Sequence, residues 1–183
     1  MPAKEKTLND LFLDTLKDVF HAEKQQLRSL AKMAKSVKTE ELRTAFETHR
    51  EETETQIERI EQVFGMLQKR PQAKPCEAMQ GLVEESKEIM EDYKNSPALE
   101  AGILSSAQAA EHYEISRYGT LKTWAGQLGM NDAVGLIDLS LQEEKKTDEL
   151  LTRIAEQMVN VEAEAGGEEE EEEEPAKGRR KSK

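Results

Sequence analysis

The sequence predicts an all-α chain: a four-helix bundle of two antiparallel hairpins joined by a long crossover that contains a short helix. Three observations carry that prediction. Four long segments repeat apolar residues at helical spacing. Hydrophobic residues reach 36% and charged residues 35% with only 4% aromatic, the composition of an aliphatic core under salt-bridged outer faces. Short turn signals close the first and last pairs of segments, whereas the middle pair is separated by the stretch between Pro71 and Pro97, far more than the roughly 2–8 residues usual between bundle neighbours.

Helix A is expected after Thr7, whose hydroxyl can cap free amides, with Asp10 as the acid of a capping box. Its stripe reads Leu8, Phe12, Thr15, Val19, Glu23, Leu27, Leu30 and Ala34. Helix B starts near Thr39, where Glu40 and Glu41 complement the helix dipole, and runs through Leu42, Phe46, His49, Thr53 with Glu52 alongside, Gln56, Ile60 and Val63 until Gly65 or Pro71 ends it. The crossover holds a short helix from 77 to about 93. Ser96 and Pro97 supply a cap and a first-turn proline for helix C, which carries Ile103, Ala107, Ala110, Glu111, Glu114, Tyr118, Leu121 and Leu128 before Gly129 stops it. Asn131 caps helix D, with Ala133, Ile137, Ser140, Glu144, Thr147, Leu151, Ile154 and Met158 in its row. Glu143 falls in a row with Lys146 and Arg153 that reads as solvated.

The bundle domain covers residues 1–159. From 160 to 183 the composition changes to Gly166-Gly167, seven consecutive glutamates, and a basic end, a segment too poor in apolar residues to order itself and expected to be a disordered acidic-then-basic tail. The net charge of −12 argues against nucleic acid as the main partner. Association through the basic end is opposed by the acidic body and the adjoining glutamates. Cys76 is the only cysteine, which excludes an intramolecular disulfide and a thiolate zinc cluster and fits a reducing cytoplasm. No segment approaches the roughly 18 uninterrupted apolar residues of a membrane span, and the N-terminus lacks an apolar signal core, so a soluble, unprocessed protein is expected.

Each of the four stripes carries a glutamate where an apolar residue is expected: Glu23, Glu52, Glu114 and Glu144. Burying one unpaired carboxylate costs several kcal/mol, so either the stripes are misread or the carboxylates share a cation. In an antiparallel hairpin, residues of constant index sum lie at one height. A turn near 37 and 38 sets Glu23 opposite Glu52, and one near 129 and 130 sets Glu114 opposite position 145, beside Glu144. One helical turn away lie Gln26, His49, Glu111 and Thr147 with Asp148. Together Glu23, His49, Glu52, Glu111, Glu114 and Glu144 offer five carboxylates and one imidazole, donors suited to iron or manganese and numerous enough for two ions. His21 and His112 flank this face and are expected at the surface, and Cys76 is expected to be buried.

These residues resemble the bacterial YciE/YciF family of ferritin-like stress proteins over about 8–158. The resemblance is carried by Val19-Phe20-His21-Ala22-Glu23-Lys24-Gln25 in helix A, and by Phe46-Glu47-Thr48-His49-Arg50-Glu51-Glu52-Thr53 with Gln56-Ile57-Glu58-Arg59 in helix B. Cys76-Glu77-Ala78-Met79 with Gly81-Leu82, Ala110-Glu111-His112-Tyr113-Glu114-Ile115 with Tyr118-Gly119-Thr120-Leu121, and Glu143-Glu144 with Thr147-Asp148 complete it. It implies a ferritin-like four-helix bundle with one crossover, often a homodimer, and a di-iron or dimanganese carboxylate centre linked to stress responses. The chain departs from many ferritin-like metal proteins: His49 precedes Glu52 instead of following a glutamate, and Thr147 stands three residues after Glu144, where a second histidine is common.

Two functions follow as expectations. In the first, the protein binds iron or manganese and oxidises Fe²⁺ or consumes peroxide, with Glu52 and Glu111 or Glu114 bridging and Glu23, Glu144 and His49 capping the ions. In the second, a metal-free helical scaffold acts through dimerisation or through its charged tail.

Overall fold

The computed structural model describes residues 5–173, with side chains through Gly166. Its helices are α1 (Leu8–Ser36), α2 (Glu40–Met66), α3 (Glu77–Asp92), α4 (Leu99–Gln127), α5 (Asn131–Ile154) and α6 (Asn160–Glu173), with one π-helical stretch, Ala155–Val159, between the last two. Four of them, α1, α2, α4 and α5, make the bundle, and α3 lies in the crossover against α1 and α4. No described helix is long and apolar enough to cross a membrane.

The ends follow from local chemistry. At α1, Thr7 and Asp10 form the reciprocal capping box: the Asp10 amide donates to the Thr7 hydroxyl and the Thr7 amide donates to the Asp10 carboxylate at 2.8 Å. Thr39 offers α2 no side-chain cap. That helix is capped from across the bundle, where the Glu100 carboxylate in the first turn of α4 accepts the Lys38 amide at 2.5 Å and the Thr39 amide at 3.2 Å. α2 runs through Gly65, and neither Gly65 nor Pro71 stops it. Gln68 does, at φ 54°, a left-handed position that lets the Lys69 amide return to the Phe64 carbonyl.

Gly129 ends α4 as expected, at φ 74°, with the Met130 amide donating back to the Ala125 carbonyl. Two other termini shift slightly from expectation. The Ser96 hydroxyl accepts the Ala98 amide at 3.1 Å, but Ala98 and not Ser96 is the cap residue of α4, without a side-chain cap, and Pro97 sits in the turn before it. Asn131 is the first residue of α5 and not its cap. Gly102 permits α3 to approach α4, since a Cβ there would stand 2.6 Å from Ile89 Cγ2.

The chain from 160 onward departs from the expected disordered tail: it is helical through Glu173, and Gly166 lies against Pro97. A helix already running needs no new nucleus to continue, and alanine and glutamate propagate it well, so low apolar content alone does not end it. Residues 174–183, which include the basic end, lie outside the described residues.

The core is two large apolar clusters and a smaller one, in which Ala22 of α1 and Ala110 of α4 pack against Cys76 and Met79. One large cluster gathers Leu30, Met33, Leu42, Phe46, Ile103 and Leu151 near the α1/α2 turn; the other gathers Phe12, Leu16, Ile60, Phe64, Leu121 and Ile137 near the α4/α5 turn. Burying each such side chain contributes about 1.5–3 kcal/mol. Between the two large clusters every bundle helix contributes buried polar residues, with Ala22 and Ala110 beside them, and that middle layer holds the site.

Candidate metal centre

Each bundle helix delivers its polar residues to the middle layer by one-face periodicity. α1 brings Glu23 and Gln26, α2 brings His49, Thr53 and Gln56, α4 brings Glu111 and Glu114, and α5 brings Ser140, Glu144 and Thr147, all of them buried. One ligand atom from each of His49, Glu111, Glu114 and Glu144 lies within 4.8 Å of the others. His49 Nε2 points at Glu111 Oε1 (3.2 Å) and Glu144 Oε2 (3.5 Å). On its other edge, Nδ1 meets the Thr147 hydroxyl at 3.1 Å and Glu52 Oε2 at 3.4 Å. A neutral ring with its proton on Nδ1 has an Nε2 lone pair for a cation lying among these carboxylates.

The expected six residues do not all meet. Glu23 is fully buried in the layer but outside the close group of four, and its Oε1 accepts a short hydrogen bond from the Tyr118 phenol. Glu52 lies on the far side of the His49 ring, its side chain 23% exposed and 3.8 Å from Lys146 Nζ. The index-sum argument fixes height along a hairpin but not rotation about the helix. Glu52 stands about 60° around α2 from the line through His49, Thr53 and Gln56. Glu143, read as solvated, is half-buried and forms a two-pronged pair with Arg59 at 2.5 and 2.8 Å, while also accepting from Gln56 at 3.1 Å. Spacing within hairpins gave no signal for this pair, because α2 and α5 belong to different hairpins. Tyr118 was legible only as a packing residue.

Around the centre, His112 is exposed as expected and contacts Asp148 at 3.1 Å. His21 is instead half-buried, its Nδ1 accepting the Cys76 amide at 3.1 Å. Cys76 is buried as expected, 2.9 Å from a Tyr113 hydroxyl that donates to Asp18.

Six carboxylate oxygens in the layer make no well-aligned hydrogen bond, one each on Glu23 and Glu111 and both on Glu114 and Glu144, although Glu144 Oε2 lies 3.5 Å from His49 Nε2 and the Glu144 carboxyl interacts with that of Glu111. Burial pushes the Glu23 carboxyl up to about 8, eased by the Tyr118 bond. Burial, followed by neighbouring carboxylates, pushes Glu114 and Glu144 well above the usual range. Burial alone would lower the His49 imidazole and raise Glu111. Their mutual attraction reverses both, so His49 is held up and Glu111 down. Glu52 is lowered chiefly by its bond to His49. A buried set of hard oxygen donors with one imidazole and unmet acceptor capacity could hold a metal ion.

Comparison with known proteins agrees with this architecture. Residues 7–164 match the family model described as a domain of unknown function, DUF892. Protein YciF of Escherichia coli K12 is 44% identical over 160 residues, covering 87% of this chain and 96% of that protein. The crystal structure of the E. coli stress protein YciF superposes with a TM-score of 0.81 over 85% of this chain and 99% of that one. YcfI from Rhodopseudomonas palustris, 39% identical, superposes at 0.79 over 83% and 97% of the two chains. A Xanthomonas campestris protein at 23% identity and TM-score 0.66, over 86% and 97%, shares the fold. With the family model spanning the whole bundle and a relative this similar along nearly its full length, the chain belongs to the DUF892 family and is of the YciF type.

Proposed function

We propose that this YciF-type protein binds iron or manganese in the middle layer of its bundle, up to two ions per chain, and serves in the stress response for which the E. coli relative is named. The observation that carries the reading is the set of six buried carboxylate oxygens without well-aligned hydrogen bonds around a single histidine. Leaving each such group unsatisfied costs about 1–3 kcal/mol or more when charged, and a cation would satisfy them together. In this reading Glu111, Glu114, Glu144 and His49 Nε2 are the central donors and Glu23 completes the set. Gln26, donating to Glu111 Oε1 at 3.4 Å, and Tyr118, donating to Glu23, orient the carboxylates. Thr147 holds the imidazole in register.

Bound there, iron or manganese would supply redox chemistry, so oxidation of Fe²⁺ or consumption of peroxide is the reaction class proposed. Binding drives protons off Glu23, Glu114 and Glu144. A cytoplasmic homodimer belongs to the same proposal, and light scattering of the purified chain tests the dimer.

Metal analysis of protein purified from cells supplied with iron and manganese is the direct test. At least one ion per chain is expected, with loss on Glu111→Ala. Less than one ion, unaltered by that substitution, sinks the reading. Anaerobic Fe²⁺ loading followed by oxygen or peroxide is expected to raise near-ultraviolet absorption; silence there leaves binding without the redox step. The rival, a metal-free scaffold, draws on the absence of a second histidine from the layer and on the protons that Glu23, Glu114 and Glu144 would carry, which relieve their charge without an ion.

A further inference from the structure

The four close donors are each at most 1% exposed, so an ion requires a path to them. A groove of about 480 Å³ runs between α2 and α5. At the level of the middle layer it is bordered by His49, Glu52, Lys146 and Thr147, and towards the start of α2 by Glu40 and Glu41. Its remaining walls are largely apolar. His49 therefore belongs both to the buried donor set and to the groove. Glu52 spans the boundary, with one oxygen 3.4 Å from His49 Nδ1 and the other 3.8 Å from the Lys146 ammonium.

We infer that this groove is the access route for a divalent cation, and that Glu52 captures the ion there and passes it beside His49 to the buried carboxylates. The inference rests on the proposed metal reading and adds a role for a residue the close donor group leaves out. Apolar walls lower the local dielectric, so a carboxylate at the inner end attracts a cation more strongly than one in open water. Glu40 and Glu41 add negative potential along the way. Lys146 and Arg153, which also line the groove, oppose it. Lys146 is the nearer opponent, yet its side chain is 75% exposed, so it can swing into solvent as an ion takes its place at Glu52. His49 offers the next donor, one ring away from Glu111 and Glu144.

The test is the rate of Co²⁺ uptake by the chelator-treated full chain, followed by stopped-flow through the visible ligand-field bands, with final content measured separately. Glu52→Gln is expected to reach the wild-type final content and spectrum about tenfold more slowly, and Lys146→Ala to fill faster than wild type. Glu54→Gln, an exposed change on the same helix, is expected to leave the rate alone. Circular dichroism confirms that each variant keeps its helices. Uptake by Glu52→Gln at the wild-type rate overturns the inference. So does a lower final content, which would make Glu52 a permanent ligand. A wild-type chain that takes up no ion at equilibrium fails the metal reading itself, a result distinct from normal content at an unaltered rate.

Discussion

Under the proposed metal reading, protons and cations compete for the same few atoms in this protein. Glu23, Glu114 and Glu144 hold their protons more tightly when folded than when unfolded, and so does His49. Between about pH 5 and pH 8 the folded chain thus keeps protons that the unfolded chain has released, and stability must fall as pH rises. Glu111 and Glu52 act in the opposite sense, but their contribution is lost only as pH drops below the usual carboxylate range. Thermal melts of chelator-treated protein are therefore expected to show a midpoint that declines from about pH 5 to pH 8, and metal loading to flatten that slope. A midpoint rising across this interval would mean that the layer is ionised without a cation. Residue by residue, the sequence revealed which carboxylates are buried on α1, α4 and α5, because one stripe per helix decides burial. It placed Glu52 too far inside and Glu143 too far outside, each side chain being 23% exposed. Both sit beside a stripe, where the choice between inside and outside depends on the rotation of α2 against α5 and on a partner, Arg59, from the other hairpin.

At the scale of the element, capping explains most of the boundaries. The Thr7–Asp10 box is written in four consecutive residues and was legible. The cap on α2 was not, since its acceptor, Glu100, arrives from 61 and 62 positions away. Glu100→Ala is expected to remove about 1 kcal/mol of stability, measured by urea unfolding, while leaving helix content intact. Glu47→Ala, an exposed change in the middle of α2, is expected to cost far less. The helix at 160–173 shows the converse limit. Composition marks a segment poor in apolar residues, but it does not register that α5 and the π-helical stretch feed it a ready-made helical end.

For the whole molecule, four helices each pass from one large apolar cluster through the polar layer to the other, α1 and α4 in opposite order and α2 and α5 likewise. Such a layer is expensive in the empty protein. Replacing His49, Glu111, Glu114 and Glu144 together by leucine is expected to abolish metal binding and to stabilise the metal-free chain by about 1–4 kcal/mol in urea titrations. A marked loss of stability would show that the layer already supports the fold without an ion. The bundle and its crossover could be read from the sequence because hydrophobic period and turn length are local properties. The closing of four polar stretches onto one another depends on how two hairpins pack.

The position of that layer also determines where the molecule is tight. In most bundles the helix centres are the best-protected parts and the ends fray. Here the two large apolar clusters lie toward both ends, and the waist between them carries buried carboxyls that share one imidazole and lack well-aligned hydrogen bonds. Under the proposed metal reading, order at the centre of this protein would be set by its contents more than by its packing, and the bundle would report on whether it is loaded through the firmness of its own middle.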